Sequence, residues 1–169
     1  MEDSIVNKVA SSGLVTIDLE EFYPKGERTL LDIKPWLFHE LILKEKEFRE
    51  YIKQEDWSKY KDKLVAVTCS SDAIVPTWAY MLVALQLQPF AARTVFGNLD
   101  TLETVLFEES LKRIDFEAYR DKRVVIKGCS KLPVPINAYV HLTNGLRPFV
   151  KSMMYGEPCS TVPLYKAPK

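Results

Sequence analysis

Two stretches of this chain, residues 43–97 and 102–156, are similar to one another when they are aligned without a gap. The alignment leaves 18 of 55 positions identical. Roughly one position in sixteen would match by chance with ordinary residue usage. The agreement includes Pro76 with Pro135, each of which stands before an apolar segment. We therefore predict an internal duplication, and any fold that the chain adopts must accommodate two similar units.

Each copy shows the same order of predicted elements. An amphipathic helix comes first, and a short apolar run such as Leu64–Val67 follows it as a strand buried on both faces. A proline then opens a second helix, because its missing N–H costs least at the first helical position, and a second strand ends in glycine. Strands that are joined through helices form parallel pairs. The predicted fold class is α/β: a layered, mainly parallel or mixed sheet with helices on both faces, built from this α-β-α-β duplication.

Length and composition indicate a single α/β domain over residues 1–169, because a hydrophobic content of 47% suffices for a core at this size. Residues 1–40 lie outside the repeat and are predicted to form an N-terminal extension with edge strands, at about Leu14–Phe22 and Arg28–Ile33. Residues 157–169 are predicted to form a tail of irregular chain across the surface.

The charge and the hydropathy of the chain disfavour several classes of protein. The 23 basic residues balance the 23 acidic ones without forming a basic run, which argues against nucleic-acid binding. The longest apolar stretch is too short to cross a bilayer, and the N-terminus lacks the basic and apolar regions of a signal peptide. We therefore expect a cytoplasmic protein with no nucleic-acid or membrane partner. The oligomeric state is left open, and a homodimer is one alternative.

Three loops each contain a cysteine that is followed by a serine. Cys69 and Cys129 follow the first strand of the two copies, and Cys159 follows the last strand of the second copy. The carboxyl ends of parallel strands meet at one edge of a sheet, where open α/β sheets place their ligand sites, so we expect the three thiols to converge. Three thiolates suit zinc, iron or an iron–sulfur cluster, and Asp72 or His141 could complete the site.

Two other interpretations of the cysteines stay open. A free cysteine is among the most buried residue types and packs like a small hydrophobic side chain. A single loop thiolate near a helix N-terminus would instead be a reactive group. The odd number of cysteines and a reducing cytoplasm argue against a disulfide framework.

The same loops offer an alternative that needs no metal. Hydroxyl groups and unpaired N–H groups at helix starts bind anions, and the candidate ligand-binding residues are Ser70, Ser71, Asp72, Ser130 and Ser160. The protein would then be a small-molecule or anion-binding α/β module or an enzyme that uses the strand-end crevice. The chain lacks the glycine-rich phosphate motifs, which disfavours the usual modes of nucleotide binding.

A third alternative is a structural or interaction protein without a chemical site. The catalytic residues are unknown, because the chain contains two histidines and no Ser–His–Asp set can be assembled from them. Whether the protein is an enzyme is therefore left open.

Six segments carry motifs in common with a known family: Gly13–Leu19, Trp36–Phe38, Thr68–Ser70, Ile74–Tyr80, Lys127–Ser130 and Tyr155–Tyr165. They resemble the bacterial domain-of-unknown-function family DUF2480, and the resemblance extends over nearly the whole chain. The family has no assigned activity, but its genes often lie beside those of the sulfur-mobilisation (Suf) machinery. The resemblance thus implies a role near iron or sulfur handling, with Suf proteins as partners. Together with the three cysteines, it favours an accessory protein that binds a metal, an iron–sulfur cluster or a persulfide and serves iron–sulfur cluster assembly.

Overall fold

The computed structural model of the protein describes residues 13–128, 131–157 and 159–168. Within these ranges the strands are β1 (Leu14–Ile17), β2 (Arg28–Asp32), β3 (Leu64–Thr68), β4 (Arg93–Phe96), β5 (Arg123–Ile126), β6 (Ser152–Glu157) and β7 (Ser160–Lys166). The α-helices are α1 (Glu45–Gln54), α2 (Thr77–Leu87), α3 (Leu99–Leu111) and α4 (Ile136–Leu146). Short 3-10 helices cover Leu19–Phe22, Lys34–Trp36, Trp57–Tyr60 and Phe116–Tyr119. The predicted α/β fold class, with strands and helices that alternate, is confirmed.

The strands form two sheets rather than one. Their orders are β1-β5-β6-β7 and β2-β3-β4, and every neighbouring pair is parallel except β6 with β7. The chain divides into two compact units. We call Lys25–Val105 the continuous unit, and Met1–Pro24 with Leu106–Lys169 the discontinuous unit. The single folding domain over residues 1–169 stays a prediction. None of the described helices has both the length and the apolar character that crossing a membrane requires.

The N-terminal extension supplies one edge strand to each sheet. β1 pairs with β5, and β2 pairs with β3, both in parallel. The prediction of irregular chain for residues 157–169 is wrong, because β7 pairs with β6 as an antiparallel strand. Its Pro163 is tolerated since β7 has no further neighbour, and an edge strand does not need that missing N–H.

The core of the continuous unit lies between β3 and two helices. Val65 and Val67 point to the same face of the sheet because side chains alternate along a strand, and both are buried in one cluster. The helices contribute residues at spacings of four, which place them on a single helical face: Phe48 and Ile52 from α1, and Ala79, Val83 and Leu87 from α2. The apolar residues that repeat along each helix therefore form one face, and the burial of that face packs the helix against the sheet.

The discontinuous unit has a core of the same kind. Val124 and Ile126 of β5 and Met153 of β6 are buried against two helices. The helical residues are Phe107 and Leu111 from α3, and Ala138, Leu142 and Leu146 from α4. Helical spacing of apolar residues in the second copy predicts a helix over about Leu102–Ile114, but α3 runs from Leu99 to Leu111. It begins early because the Asn98 carboxamide oxygen accepts a hydrogen bond from the Thr101 N–H at 2.9 Å.

Each unit enters its central strand through the same turn. Asp62 and Asp121 both have a positive φ, 59° and 61°, in the left-handed region. Their N–H groups donate to the carbonyl oxygens of Phe90 and Phe149, in each case at 2.9 Å. This local likeness recurs at the offset of the sequence alignment, and the duplication as such stays a prediction.

Candidate functional site

The two described cysteines belong to different units of the chain. Cys69 directly follows β3 in the continuous unit and is half-buried. Cys159 lies exposed in the turn between β6 and β7 of the discontinuous unit. Both are free thiols, and Cys129 and Ser130 lie outside the described residues. The convergence of the three thiols therefore stays a prediction.

The described residues do not fit a metal site by themselves. Across 13–128, 131–157 and 159–168, no group of three or more His, Cys, Asp or Glu side chains could hold a metal ion. The two predicted additional ligands belong to different units: Asp72 to the continuous unit, and the half-buried His141, on α4, to the discontinuous unit.

The carboxylate of Asp32 accepts three hydrogen bonds at the strand ends of the continuous unit. Asp32 is the last residue of β2. Its Oδ1 accepts hydrogen bonds from the N–H groups of Ser70 and Lys34, both at 3.0 Å, and its Oδ2 accepts one from the Ser70 hydroxyl at 2.5 Å. The Ser70 donors are thus already used within the protein, although the sequence suggested that they bind an anion.

The pKa of Asp32 shows which influence dominates at this position. Partial burial alone would raise the pKa, but the hydrogen bonds from Ser70 and Lys34 and the positive charge of Lys34 outweigh it, so the pKa lies below its ordinary value. Asp32 is therefore ionised at neutral pH, and this strand edge carries a negative charge.

Tyr80 interacts electrostatically with both Cys69 and Asp32. The Cys69 thiol donates to the carbonyl oxygen of Ser71 over 3.8 Å. Burial raises the pKa of Tyr80, and electrostatic interactions with Cys69 and Asp32 raise it further. The Tyr80 phenol consequently stays protonated and keeps an O–H donor at neutral pH. We refer to these three residues as the Asp32–Cys69–Tyr80 cluster.

An aromatic partner holds the Tyr80 ring. Phe96, at the end of β4, meets it edge to face, with ring centroids 4.8 Å apart and an interplanar angle of 67°. Phe96 is itself 64% exposed. The strand ends therefore present an accessible aromatic surface beside the Tyr80 phenol.

A cavity of about 370 Å³ opens beside the same loop. Its walls include Leu41, Ile42, Asp72, Ala73, Ile74 and Pro76. The Ser71 hydroxyl donates to the carbonyl oxygen of Glu40 at 2.5 Å and so ties the two walls together. Asp72 supplies a carboxylate to a lining that is otherwise apolar. We call this space the Asp72 cavity.

The discontinuous unit repeats part of this arrangement with a different charge. Asp18, directly after β1, accepts from the Glu20 N–H at 2.9 Å and pairs with Lys127 Nζ at 2.8 Å. Burial works to raise the pKa of Asp18, but the Lys127 and Glu20 hydrogen bonds outweigh it and hold the pKa low. Tyr139 and Tyr155, which align with Tyr80 and Phe96 of the first copy, also meet edge to face, at 5.9 Å.

The two acids therefore differ in their neighbours. Lys127 neutralises Asp18. The residue of the first copy that aligns with Lys127 is the uncharged Thr68. Ser160, a predicted ligand-binding residue of this unit, is the first residue of β7, and its side chain is exposed.

Sequence reasoning missed both strand-end acids. A signal was present, since Ile17-Asp18-Leu19 and Leu31-Asp32-Ile33 each place an aspartate between two apolar residues. All four flanking side chains are buried. The two segments lie outside the aligned copies, so the alignment of the copies does not expose them.

Comparison with known proteins gives one family. The model described as "Protein of unknown function (DUF2480)" matches residues 3–167. No curated protein and no solved structure matches the chain.

Proposed function

Since the chain belongs to the DUF2480 family, whose description names no activity, we propose from the site itself that the protein binds a small organic amine. The site is the strand-end edge of the continuous unit. The observation that carries the proposal is the Asp32 carboxylate of the Asp32–Cys69–Tyr80 cluster, which the N–H groups of Ser70 and Lys34 and the Ser70 hydroxyl hold at the end of β2.

The charge of the cluster selects the class of ligand. Asp32 is ionised, and each carboxylate oxygen can accept two hydrogen bonds. Among the described contacts, Oδ2 accepts one, from the Ser70 hydroxyl, which leaves a position for an ammonium or hydroxyl donor. An anion would meet the Asp32 charge without a free Ser70 donor to bind it. The preference is therefore for a cationic ligand over a neutral one, and for a neutral one over an anion.

The surroundings favour an amine that carries an apolar body. The exposed Phe96 ring can stack on such a group or attract the cation over its face. The Asp72 cavity borders the same loop with apolar walls and a second carboxylate. An aromatic or branched aliphatic amine matches this combination of negative charge and apolar surface.

The Cys69 thiol provides a reporter inside the site. In a Cys129→Ser/Cys159→Ser background, Cys69 is the remaining thiol, and its alkylation by iodoacetamide can be followed by mass spectrometry. Phenethylamine, 2-phenylethanol and 3-phenylpropionate carry one ring with a cationic, a neutral and an anionic group. We expect phenethylamine to slow the alkylation in a saturable manner and to do so at the lowest concentration.

Two substitutions distinguish a site from a general effect. Asp32→Asn should abolish the preference for phenethylamine, and the matched control Asp18→Asn, in the discontinuous unit, should leave it unchanged. Equal protection by 3-phenylpropionate, or no saturable protection by any of the three compounds, would refute the proposal.

A second proposal is the thiolate site predicted from the sequence. Here Cys69, Cys129 and Cys159 hold zinc, iron or an iron–sulfur cluster, and the protein assists Suf proteins in cluster assembly. Two observations support it: Cys69 and Cys159 are both free thiols, and Cys159 is exposed. Elemental analysis of protein purified without oxygen or chelators tests it. About one zinc or several irons per chain, lost in both Cys69→Ser and Cys159→Ser, is the expected result, and metal-free protein would contradict it.

A further inference from the structure

A second pocket lies in the discontinuous unit, where the parallel strands begin. Leu14, Arg123 and Ser152 are the first residues of β1, β5 and β6, and Lys166 is the last residue of β7. The pocket that these residues help to line has a volume of about 490 Å³. Sites for small organic ligands commonly have volumes of about 300–1,000 Å³. We call it the Arg123 pocket.

The strand register places two cations, Arg123 and Lys166, in one row of this pocket, with β6 between them. Arg123 pairs with Ser152, and Ser152 pairs with Lys166, so the three residues form one row across adjacent strands. Directly paired residues share a face of the sheet. With strands about 4.8 Å apart, the backbones of Arg123 and Lys166 are roughly 10 Å apart. Lys151, next to Ser152, adds a third positive charge to the lining.

These three cations have no counter-ion in the described part of the chain. None of the residues that line the pocket is acidic. None of the ion pairs among the described residues involves Arg123, Lys151 or Lys166. Like charges that gather on one sheet face repel one another. An anion bound between them would remove that repulsion, and the arginine fork suits a carboxylate in particular.

The remainder of the lining is apolar. Leu14, Met154 and Pro163 border the pocket. Met154 and Pro163 are paired across β6 and β7 and so lie on the same face as the Arg123 row. Methionine is flexible and polarisable, and it adapts to apolar groups of varied shape.

We propose that the Arg123 pocket binds a small amphiphilic carboxylate, with its head group between Arg123 and Lys166 and its apolar chain against Met154 and Pro163. The ligand class is thus opposite in charge to that of the Asp32 site. The two proposals rest on different residues in different units, so each can fail without the other.

Methionine methyl groups report on this pocket separately from the rest of the protein. The chain has four methionines, Met1, Met81, Met153 and Met154, and Met153 and Met154 line the pocket. With ¹³C-methyl-methionine labelling, titration with sodium octanoate should shift the Met154 signal in a saturable manner and leave Met81, on α2 of the continuous unit, unchanged. Sodium acetate, which lacks the chain, and octylammonium chloride, which reverses the charge, should each give at least tenfold weaker binding.

Paired substitutions that remove positive charges test whether Arg123 and Lys166 bind the carboxylate. Arg123→Gln/Lys166→Gln should weaken octanoate binding by about tenfold or more. Lys46→Gln/Lys61→Gln removes the same charge from the continuous unit and should have no effect. Arg123→Lys keeps the charge without the fork and should give an intermediate loss, which guards against a folding defect in the double variant. The proposal is overturned if Met154 shows no saturable shift, if octylammonium binds as well as octanoate, or if both double variants weaken binding equally.

Discussion

Asp32 and Ser70 are 38 residues apart in the sequence, and the Asp32 carboxylate accepts both the N–H and the hydroxyl of Ser70, at 3.0 and 2.5 Å. These bonds fasten the loop that follows β3 to the end of β2. The loop carries Cys69, so the same contact that fixes the local structure also positions the thiol of the proposed amine site.

Replacing the Asp32 carboxylate should reduce stability in a pH-dependent way. The folded-state pKa of Asp32 is lowered, so its stabilising contribution is present above the unfolded pKa, near 4, and is lost as the pH falls through the folded value. We expect Asp32→Asn to lower the free energy of unfolding by about 1 kcal/mol at pH 7 and by much less at pH 2–3.

Urea denaturation followed by tryptophan fluorescence can measure this difference. All three tryptophans, Trp36, Trp57 and Trp78, belong to the continuous unit and so report on its unfolding. Ser70→Ala removes one of the three hydrogen bonds and leaves the charge, so it serves as a comparison. A destabilisation by Asp32→Asn that is as large at pH 2–3 as at pH 7 would show that the charge of Asp32 contributes nothing.

The sequence predicted those parts of the fold that depend on local pattern. The apolar run Leu64–Val67 lies in β3, and Pro76 and Pro135 mark the starts of α2 and α4, although each is the extended N-cap residue and not the predicted first helical residue. Local pattern does not specify which edge strands pair, because that choice depends on contacts between distant segments. The sequence therefore missed the division into two sheets. It also missed β7, because the two prolines of the tail, Pro163 and Pro168, suggested irregular chain, although Pro163 is tolerated on an edge strand that pairs with the preceding β6.

In the candidate site, too, the sequence predicted the residue that local pattern marks and missed the one that depends on a distant partner. Cys69 was identified because it follows an obvious strand. Asp32 was not, because its role depends on a partner 38 residues away. The predicted anion donor Ser70 is engaged by that same partner, and no feature of the Cys-Ser motif could show this before β2 and β3 were paired.

Gly145 should resist substitution although it lies within a helix. A Cβ at this position of α4 would overlap the ring of Phe116 in the same unit. Alanine would favour the helix by about 1 kcal/mol, but overpacking costs about 1–3 kcal/mol. We expect Gly145→Ala to lower the free energy of unfolding by about 1 kcal/mol, as measured by circular dichroism during urea denaturation.

A double-mutant cycle can attribute that loss to the ring. Phe116→Leu provides space, so the pair of substitutions should be more stable than the sum of the single changes by about 1 kcal/mol. Asn144→Ala, at the neighbouring exposed position of α4, is the control and should be neutral or slightly stabilising. Additive effects of the Gly145 and Phe116 changes would contradict this assignment.

The ion pair between Arg28 and Glu103 should contribute more to stability than the surface pairs of the same unit. Arg28 Nε donates to Glu103 Oε1 at 2.5 Å, and Nη2 donates to Oε2 at 3.1 Å. The two side chains are only 15% and 14% exposed. A bidentate, largely buried pair of this kind resists screening by water. We expect Glu103→Gln to cost about 1–3 kcal/mol in the free energy of unfolding, again measured by tryptophan fluorescence.

A surface pair of the same unit provides the control. Lys44 and Glu47 are 42% and 52% exposed, and the removal of such a pair changes stability by less than about 1 kcal/mol. Added salt should diminish the effect of Glu47→Gln further and leave most of the effect of Glu103→Gln. Equal losses for the two substitutions would mean that burial of the Arg28 pair is energetically unimportant.

Thr68→Lys should transfer the charge arrangement of the discontinuous unit to the continuous unit. Lys127, which aligns with Thr68 of the first copy, lies 2.8 Å from Asp18 and neutralises it. A lysine at position 68 would place its ammonium group near Asp32 and compete with a bound amine. In the background that retains only Cys69, we expect protection of this thiol by phenethylamine to weaken by about tenfold, whereas 2-phenylethanol should protect as before.

The reverse change, Lys127→Thr, alters only the Asp18 pair and should leave Cys69 protection unchanged. If the folded Thr68→Lys protein still prefers phenethylamine, the Asp32 charge does not select the ligand, and the amine proposal loses its basis.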